Sequence, residues 1–164
     1  MNKQDIGLLY QYNAWANARI LSAVSRVSAE QFLADASYPF GGLRGTLTHI
    51  LFAEWIWRMR WTGESPSAGF KPEEFADFPS LRARWQTEEN ALNEFVASLT
   101  DERLNANFQY KNTKGDVFED VLWQAMAHVV NHGTQHRSEA AAILTELGHS
   151  PGNIDMILFL REKK

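Results

Sequence analysis

Four long segments of the chain have the periodicity of an amphipathic helix, and they leave little of the sequence for a sheet. The predicted helices run from Asn2 to Val27, from about Leu43 to Trp61, from about Ser80 to Ser98 and from about Phe118 to Leu147. Ser80 is a suitable N-cap for the third helix. Gly63 and Gly148 suit the position that follows a helix C-terminus.

The connections between these segments indicate how the helices are joined. Residues 64–79 hold three prolines and form the longest connection, and residues 35–42 (DASYPFGG) form a shorter loop. Ser28 can cap a short helix, residues 105–117 can form a small hairpin around an NTKG turn, and the apolar tail 154–160 must pack back on the body. The predicted fold is all-α, a four-helix bundle with a long crossover between helices 2 and 3. The length predicts a single domain over residues 1–164.

Composition and charge exclude several classes of function. The net charge is −4 and no basic run is present, which argues against a nucleic-acid partner, since phosphate binding needs clustered Lys and Arg. No signal-peptide core and no apolar run of about 20 residues is found, so we expect a cytoplasmic protein without a membrane partner. The chain has no cysteine. Any metal must therefore be held by nitrogen and oxygen atoms, and any thiol must come from outside.

The segment HVVNHGTQHR, residues 128–137, places His128, His132 and His136 at intervals of four. Helical residues four apart are neighbours on one face, whereas residues eight apart are separated by about 12 Å. Nitrogens bound to one transition metal lie about 3 Å from each other. His128 and His136 therefore cannot share a metal. Either His128 and His132 or His132 and His136 can form a pair, and a third ligand must come from another helix.

His49 is the candidate for the third ligand, because its helical neighbours are small or apolar and the stripe around His132 is apolar too. His149 lies in the HSPGN loop and is expected to face solvent. A single core histidine is more often a hydrogen-bonded packing residue than a ligand, and many histidine pairs with this spacing are only solvated. However, burying three imidazoles without partners costs a few kcal/mol, and a bound metal would remove that cost.

Four segments carry a resemblance to a known family: YNAWANARIL (12–21), LTHILFAEWIW (47–57), HVVNHGTQHR (128–137) and GNIDMILFL (152–160). Together they resemble the DinB/YfiT-like family of small metal-binding four-helix bundles over nearly the whole chain. The third segment, which matches an NH-x-x-x-HR motif, is the most specific. The resemblance implies that His49, His132 and His136 bind one divalent metal. It also implies that His128 is a packing or second-shell residue and not a ligand.

Glu139 is the candidate catalytic residue. Family members typically continue the HR motif with Gly-Gln, whereas Ser138 and Glu139 follow Arg137 here. Glu139 falls on the histidine stripe, and our hypothesis is that it hydrogen-bonds a ligand imidazole or a metal-bound water. It could then raise ligand basicity or accept a proton. The alternative is that Glu139 points to the end of the bundle and pairs with a surface arginine.

Three imidazoles without a carboxylate would leave a dicationic, open metal, which is typical of catalytic sites. Zinc, nickel, iron and manganese are all compatible with this donor set. The resembled family includes thiol-dependent S-transferases that use a low-molecular-weight thiol. The enzyme hypothesis is therefore transfer of an activated thiol or water to a small electrophilic substrate, as an S-transferase or a hydrolase. The competing hypothesis is a non-catalytic metal-binding protein associated with stress or DNA damage.

The second predicted helix is apolar around more than one face, because it carries Phe52, Trp55, Ile56, Trp57 and Trp61. Such a helix suggests a covered partner surface, so we predict a homodimer. A substrate-stacking wall is the alternative use of these aromatic residues. Arg137 points about 100° away from the histidine stripe, and we expect it to anchor an interhelical ion pair and not a substrate.

Overall fold

The computed structural model describes residues 1–163, which form seven α-helices, one turn of 3-10 helix at Pro72–Glu74 and one hairpin. The helices are α1 (Lys3–Val24), α2 (Ala29–Leu33), α3 (Leu43–Trp61), α4 (Phe78–Ser98), α5 (Asp101–Leu104), α6 (Leu122–Glu146) and α7 (Met156–Glu162). The strands β1 (Asn107–Lys111) and β2 (Val117–Val121) pair antiparallel between α5 and α6.

The four long helices α1, α3, α4 and α6 form the predicted four-helix bundle, and residues 62–77 form the long crossover between α3 and α4. Helix α6 packs against both α1 and α3, and α4 also packs against both α1 and α3. The helices α1 and α3 therefore lie diagonally across the bundle. The α3–α6 contact is the most extensive, so side chains on these two helices meet along several turns.

Local side chains explain where the long helices begin and end. Helix α4 begins two residues before the predicted start, and its N-cap is Asp77, whose side chain accepts a hydrogen bond of 2.8 Å from the Ser80 amide. The prediction of Ser80 as the N-cap is therefore wrong. Pro79 does not prevent the earlier start, because a proline in the first helical turn loses no hydrogen bond. Ser28 does cap α2, as predicted.

The hairpin is present, but it extends further along the chain than predicted. The last long helix begins at Leu122 and not at Phe118, because residues 117–121 form the second strand. Phe118 lies opposite Tyr110 in the register, with their rings stacked at 5.8 Å. Glu119 accepts hydrogen bonds from two side chains of β1. These cross-strand contacts outweigh the helical tendency of the VFEDV segment.

The apolar tail packs back on the body, as expected. Phe159 of α7 is 4% exposed, and its ring lies 6.0 Å from Tyr12 and 5.7 Å from Trp15 of α1. Tyr12 also donates a hydrogen bond to the carbonyl of Ile154. Among residues 1–163, no helix combines the length and the apolar character that crossing a membrane requires.

The aromatic side chains of α3 are covered by other parts of the same chain. Trp61 is 4% exposed in the core, Trp55 lies 4.9 Å from Phe70 of the crossover, and Trp57 lies 5.1 Å from Tyr110 of the hairpin. These contacts account for the apolar character of α3 within one chain. The homodimer stays a prediction, and a sedimentation measurement that returned only a species of 18.7 kDa would contradict it.

Candidate metal centre

Three histidines from two neighbouring helices meet at one point between α3 and α6. His49, His132 and His136 each offer one ring nitrogen, and these three atoms lie within 4.8 Å of one another. The Nε2 atoms of His49 and His132 are 3.1 Å apart. The structure thus brings together the three residues that the sequence singled out, and it selects the pair His132 and His136 from the two pairs that spacing allowed.

The helices hold the three rings at different orientations. The rings of His132 and His136 are 4.4 Å apart, as expected for residues one turn apart on α6. The ring of His49 comes from α3 and meets that of His136 edge to face at 4.6 Å. His136 is buried, whereas His49 and His132 are half-buried. His128, one turn before His132, is exposed and packs edge-on against Trp57.

Glu139 orients one of the three rings. Its Oε2 atom lies 2.8 Å from Nδ1 of His136. Because a carboxylate accepts hydrogen bonds, Nδ1 of His136 carries the hydrogen, and Nε2 is the nitrogen with a free lone pair. Glu139 therefore makes the contact with an imidazole that the sequence suggested. Among residues 1–163, no arginine lies within 4.0 Å of its carboxylate.

Phe40 covers one side of the histidine group, and the sequence did not single it out. Its ring stacks on His49 with centroids 3.7 Å apart and meets His136 edge-on at 5.1 Å. A Cβ atom at Gly45 would lie 1.8 Å from the carbonyl oxygen of Phe40. The loop can therefore approach α3 only because residue 45 is a glycine. In the sequence, a glycine one turn before His49 was the feature from which this close approach of the loop could have been inferred.

The electrostatic environment keeps two of the imidazoles neutral. Burial, followed by the charges of the neighbouring His132 and His136, lowers the pKa of His49 to about 4. Burial is also the main cause that lowers the pKa of His132 to about 4. At pH 7 both rings are uncharged, so their lone pairs are available to a cation. Nitrogens bound to one cation at about 2.0–2.1 Å lie about 3 Å apart, and the three donors fit a divalent transition metal.

These lowered pKa values predict how the stability of the metal-free protein depends on pH. The unfolded chain takes up protons at His49 and His132 near pH 6.5, whereas the folded chain does so only near pH 4. The free energy of unfolding should therefore fall as the pH falls from about 6.5 to about 4. Urea unfolding in the presence of a chelator measures this. The double variant His49→Gln, His132→Gln should lose less stability over that interval, and an equal loss would contradict the assignment.

A buried polar network lies beside the histidine group and joins three helices. Arg137 of α6 is fully buried and donates to the side-chain oxygens of Asn13 and Asn17 on α1, at 2.6 and 2.9 Å. The amides of both asparagines donate in turn to Glu54 of α3. Arg137 thus anchors helices, as expected, but within residues 1–163 it reaches the carboxylate through two amides and not as a direct ion pair.

The network also explains a glycine in the histidine motif. A Cβ atom at Gly133 would lie 2.7 Å from Nη1 of Arg137 and 3.1 Å from Oδ1 of Asn13. Glycine at this position lets Arg137 fold back along α6 toward α1. The sequence segments already discussed contain most of this network: Asn13 and Asn17 lie in YNAWAN, and Arg137 lies in the HR motif. The partner Glu54 was not singled out, because one carboxylate on an apolar helix shows no periodicity of its own.

The fold and the site together define a class of small all-α proteins: four-helix bundles with a group of three histidines between two of their helices. Within that class, the model of the DinB family matches residues 1–164, and the chain belongs to the DinB family. Protein DinB of Bacillus subtilis (strain 168) is 25% identical, over 93% of this chain and 91% of that protein.

A solved structure has the same fold. YfiT from Bacillus subtilis superposes with a TM-score of 0.63 at 16% sequence identity, over 92% of this chain and 91% of that one. That protein is described as "a probable metal-dependent hydrolase with an unusual four-helix bundle topology". At this level of identity the likeness shows the fold alone.

Proposed function

We propose that this protein is a divalent-metal-dependent enzyme whose protein ligands are His49, His132 and His136. The observation that carries the proposal is the convergence of three ring nitrogens within 4.8 Å, on helices that are far apart in sequence. The description of YfiT as a probable metal-dependent hydrolase supports the same class of activity. Zinc, nickel, iron and manganese all suit a donor set of three imidazoles.

The proposed reaction is transfer of a thiol or a water molecule to a small electrophilic substrate. His49, His132 and His136 would hold the divalent cation, which would lower the pKa of a water or thiol bound beside them and so supply a nucleophile at neutral pH. The chain has no cysteine, so a thiol cosubstrate would be a separate low-molecular-weight molecule. Glu139 holds the tautomer of His136 in which Nε2 is free, and its carboxylate raises the basicity of that imidazole as a ligand.

A direct assay distinguishes the two forms of the reaction. The zinc-loaded protein is incubated with a small alkyl halide or epoxide, with and without 2-mercaptoethanol, and the products are identified by mass. A thioether formed faster than the background rate supports the S-transferase form, and an alcohol from the halide or a diol from the epoxide, formed faster than background without the thiol, supports the hydrolase form. The His132→Ala variant gives the background rate. A wild-type rate equal to that background with every electrophile would contradict the proposal.

Replacing Glu139 by glutamine tests its role at His136. Loss of a carboxylate that hydrogen-bonds a metal-ligating histidine typically weakens metal affinity about 10–100-fold. We expect a loss in that range for Glu139→Gln, measured by competition with a chelator, together with a lower rate. Glu94→Gln, an exposed change on α4, is the matched control and should change neither quantity. Unchanged affinity and rate in Glu139→Gln would remove Glu139 from the site.

The second candidate is a non-catalytic metal-binding role in stress or DNA damage. The stacking of Phe40 on His49 favours this role, because the Phe40 ring covers part of the histidine group. Azide binding to the cobalt-loaded protein separates the two candidates. If the wild-type visible spectrum changes with azide, a position for a substrate is accessible, as the enzyme requires. If only Phe40→Ala responds, the metal is shielded in the native protein and the binding role is favoured.

A further inference from the structure

Arg60 lies on the same face of α3 as His49, eleven residues further along the helix. Eleven residues are just over three turns, so the two residues lie on one stripe and their Cα atoms are about 16 Å apart along the axis. Arg60 is 8% exposed. Its guanidinium carbon lies 4.9 Å from the ring centre of Trp57 and 5.0 Å from that of Tyr110. The charge is therefore held in a notch between α3 and the hairpin.

Within residues 1–163, the charge of Arg60 has no protein counterion. No carboxylate oxygen lies within 4.0 Å of its guanidinium, and its Nε atom is buried without a hydrogen-bond partner. Two other arginines have polar side-chain partners: the half-buried Arg58 pairs with Glu88 at 2.5 Å, and the buried Arg137 donates to two asparagines. Burial accordingly lowers the pKa of Arg60.

The two aromatic rings offset only part of the cost of this buried charge. A cation–π contact is weaker than a charge-assisted hydrogen bond to a carboxylate, so the two rings do not replace a counterion. A guanidinium has five N–H donors, and it accommodates a carboxylate with two parallel hydrogen bonds. The guanidinium of Arg60 therefore has the charge and the donors that bind an oxyanion, and the protein groups around it supply no carboxylate.

A continuous row of rings joins Arg60 to the histidine group. His128 lies 5.9 Å from His132 and 5.4 Å from Trp57, and Trp57 contacts the guanidinium of Arg60. His128 is exposed and Trp57 is half-buried, so this row borders an accessible surface between α3 and α6. A molecule that lay along the row would have one end at the three histidines and the other at Arg60.

We propose that Arg60 binds the carboxylate of an elongated small-molecule substrate or cosubstrate, whose reactive end lies at the histidine group and whose middle packs on Trp57 and His128. The assignment of the reactive end rests on the proposed metal-dependent function, whereas the carboxylate site at Arg60 does not. Arg60 selects anionic molecules over neutral ones, and among ligands that also bind at the histidine group it favours those long enough to span about 16 Å. Arg60 is accordingly a specificity-determining residue.

The competing explanation is structural: Arg60 only fastens the hairpin to α3 through its two rings. Binding of 4-phenylbutanoate and 4-phenylbutanamide to the metal-free protein separates these roles, with tryptophan fluorescence as the readout. We expect the acid to bind about 10–100-fold more tightly, the range for a charge-assisted pair of hydrogen bonds. The preference should vanish in Arg60→Met, persist in part in Arg60→Lys, and be unchanged in Arg82→Met on α4.

A purely structural Arg60 would give equal binding of acid and amide in the wild type, and that result would overturn the proposal. A preference for the acid that survived in Arg60→Met would overturn it as well. Circular dichroism and urea unfolding of each variant confirm that the hairpin and bundle are folded. If Arg60→Met is unfolded, the comparison of acid and amide in the wild type and in Arg60→Lys still decides the question.

A second measurement tests whether one ligand spans both ends. The cobalt-loaded protein is titrated with 3-mercaptopropanoate, 8-mercaptooctanoate and 11-mercaptoundecanoate, each against the mercapto-alcohol of the same length, and the thiolate-to-cobalt absorption is followed. We expect the acid to be favoured only for the longest chain, and only while Arg60 is present. A preference independent of length would overturn the shared ligand. Failure of every thiol to bind, with the preference for 4-phenylbutanoate intact, would contradict the metal-dependent function and leave the carboxylate site standing.

Discussion

The His132→Ala protein is expected to purify with almost no divalent metal, whereas the wild type should carry about one ion per chain. His132 lies at the centre of the group, with its Nε2 atom 3.1 Å from that of His49 and its ring 4.4 Å from that of His136. Loss of a residue that only supports a ligand weakens metal binding about 10–100-fold, so loss of a ligand itself should exceed about a hundredfold. Elemental analysis after dialysis, and competition with a chelator, measure both quantities.

The matched control is His128→Ala, which removes the other histidine of the motif one turn away. His128 is exposed and packs on Trp57, outside the group of converging nitrogens, so this variant should keep most of its metal. His49→Ala and His136→Ala should behave like His132→Ala. If His128→Ala lost the metal and His136→Ala kept it, the other pair allowed by helical spacing would be the ligand pair, and the proposed site would be wrong.

The main lines of the fold could be predicted because they depend on local periodicity. The bounds of α3 follow from its apolar pattern and from Gly63, whose φ of 94° suits the residue after a helix. The errors fall at helix ends. The chain continues as a strand through Phe118 because β1 is available to pair with it, and that pairing is a tertiary contact. The diagonal placement of α1 and α3 is likewise a property of the assembled bundle, which no single helix pattern encodes.

The site was predictable where spacing on one helix restricts geometry, and not where a loop supplies the contact. Spacing showed that His128 and His136 cannot share a metal, and resemblance to a family suggested which pair does. Phe40 could not be found this way, because loop residues 35–42 have no period that fixes their direction. Arg60 was missed for a different reason. In the sequence it is one of several arginines of α3, and only the folded structure shows that its guanidinium has no carboxylate beside it.

Replacing Arg137 by methionine is expected to destabilise the protein by about 3–5 kcal/mol, the cost of leaving a buried charge without its partner. Arg137 is fully buried and Glu54 is 3% exposed. Burial raises the pKa of Glu54, and the two asparagines and Arg137 oppose that shift. Without Arg137, only the amides of Asn13 and Asn17 remain to stabilise the carboxylate. Urea unfolding of the metal-free protein at pH 7 measures the change without a contribution from bound metal.

The double variant Glu54→Gln, Arg137→Met separates charge from packing. Removing the isolated carboxylate should recover part of the lost stability. We expect a coupling energy of about 1–3 kcal/mol, because the effects of two substitutions within one hydrogen-bond network are not additive. The cost of Arg137→Met alone should also shrink as the pH falls toward 5, since the folded state then binds a proton at Glu54 that the unfolded chain does not. Arg82→Met, a change on α4 that removes only a 3.4 Å contact with Gln86, should cost less than about 0.5 kcal/mol. If the two changes were additive and the cost were independent of pH, the network would act through packing alone, and the buried charges would not be what joins α1, α3 and α6.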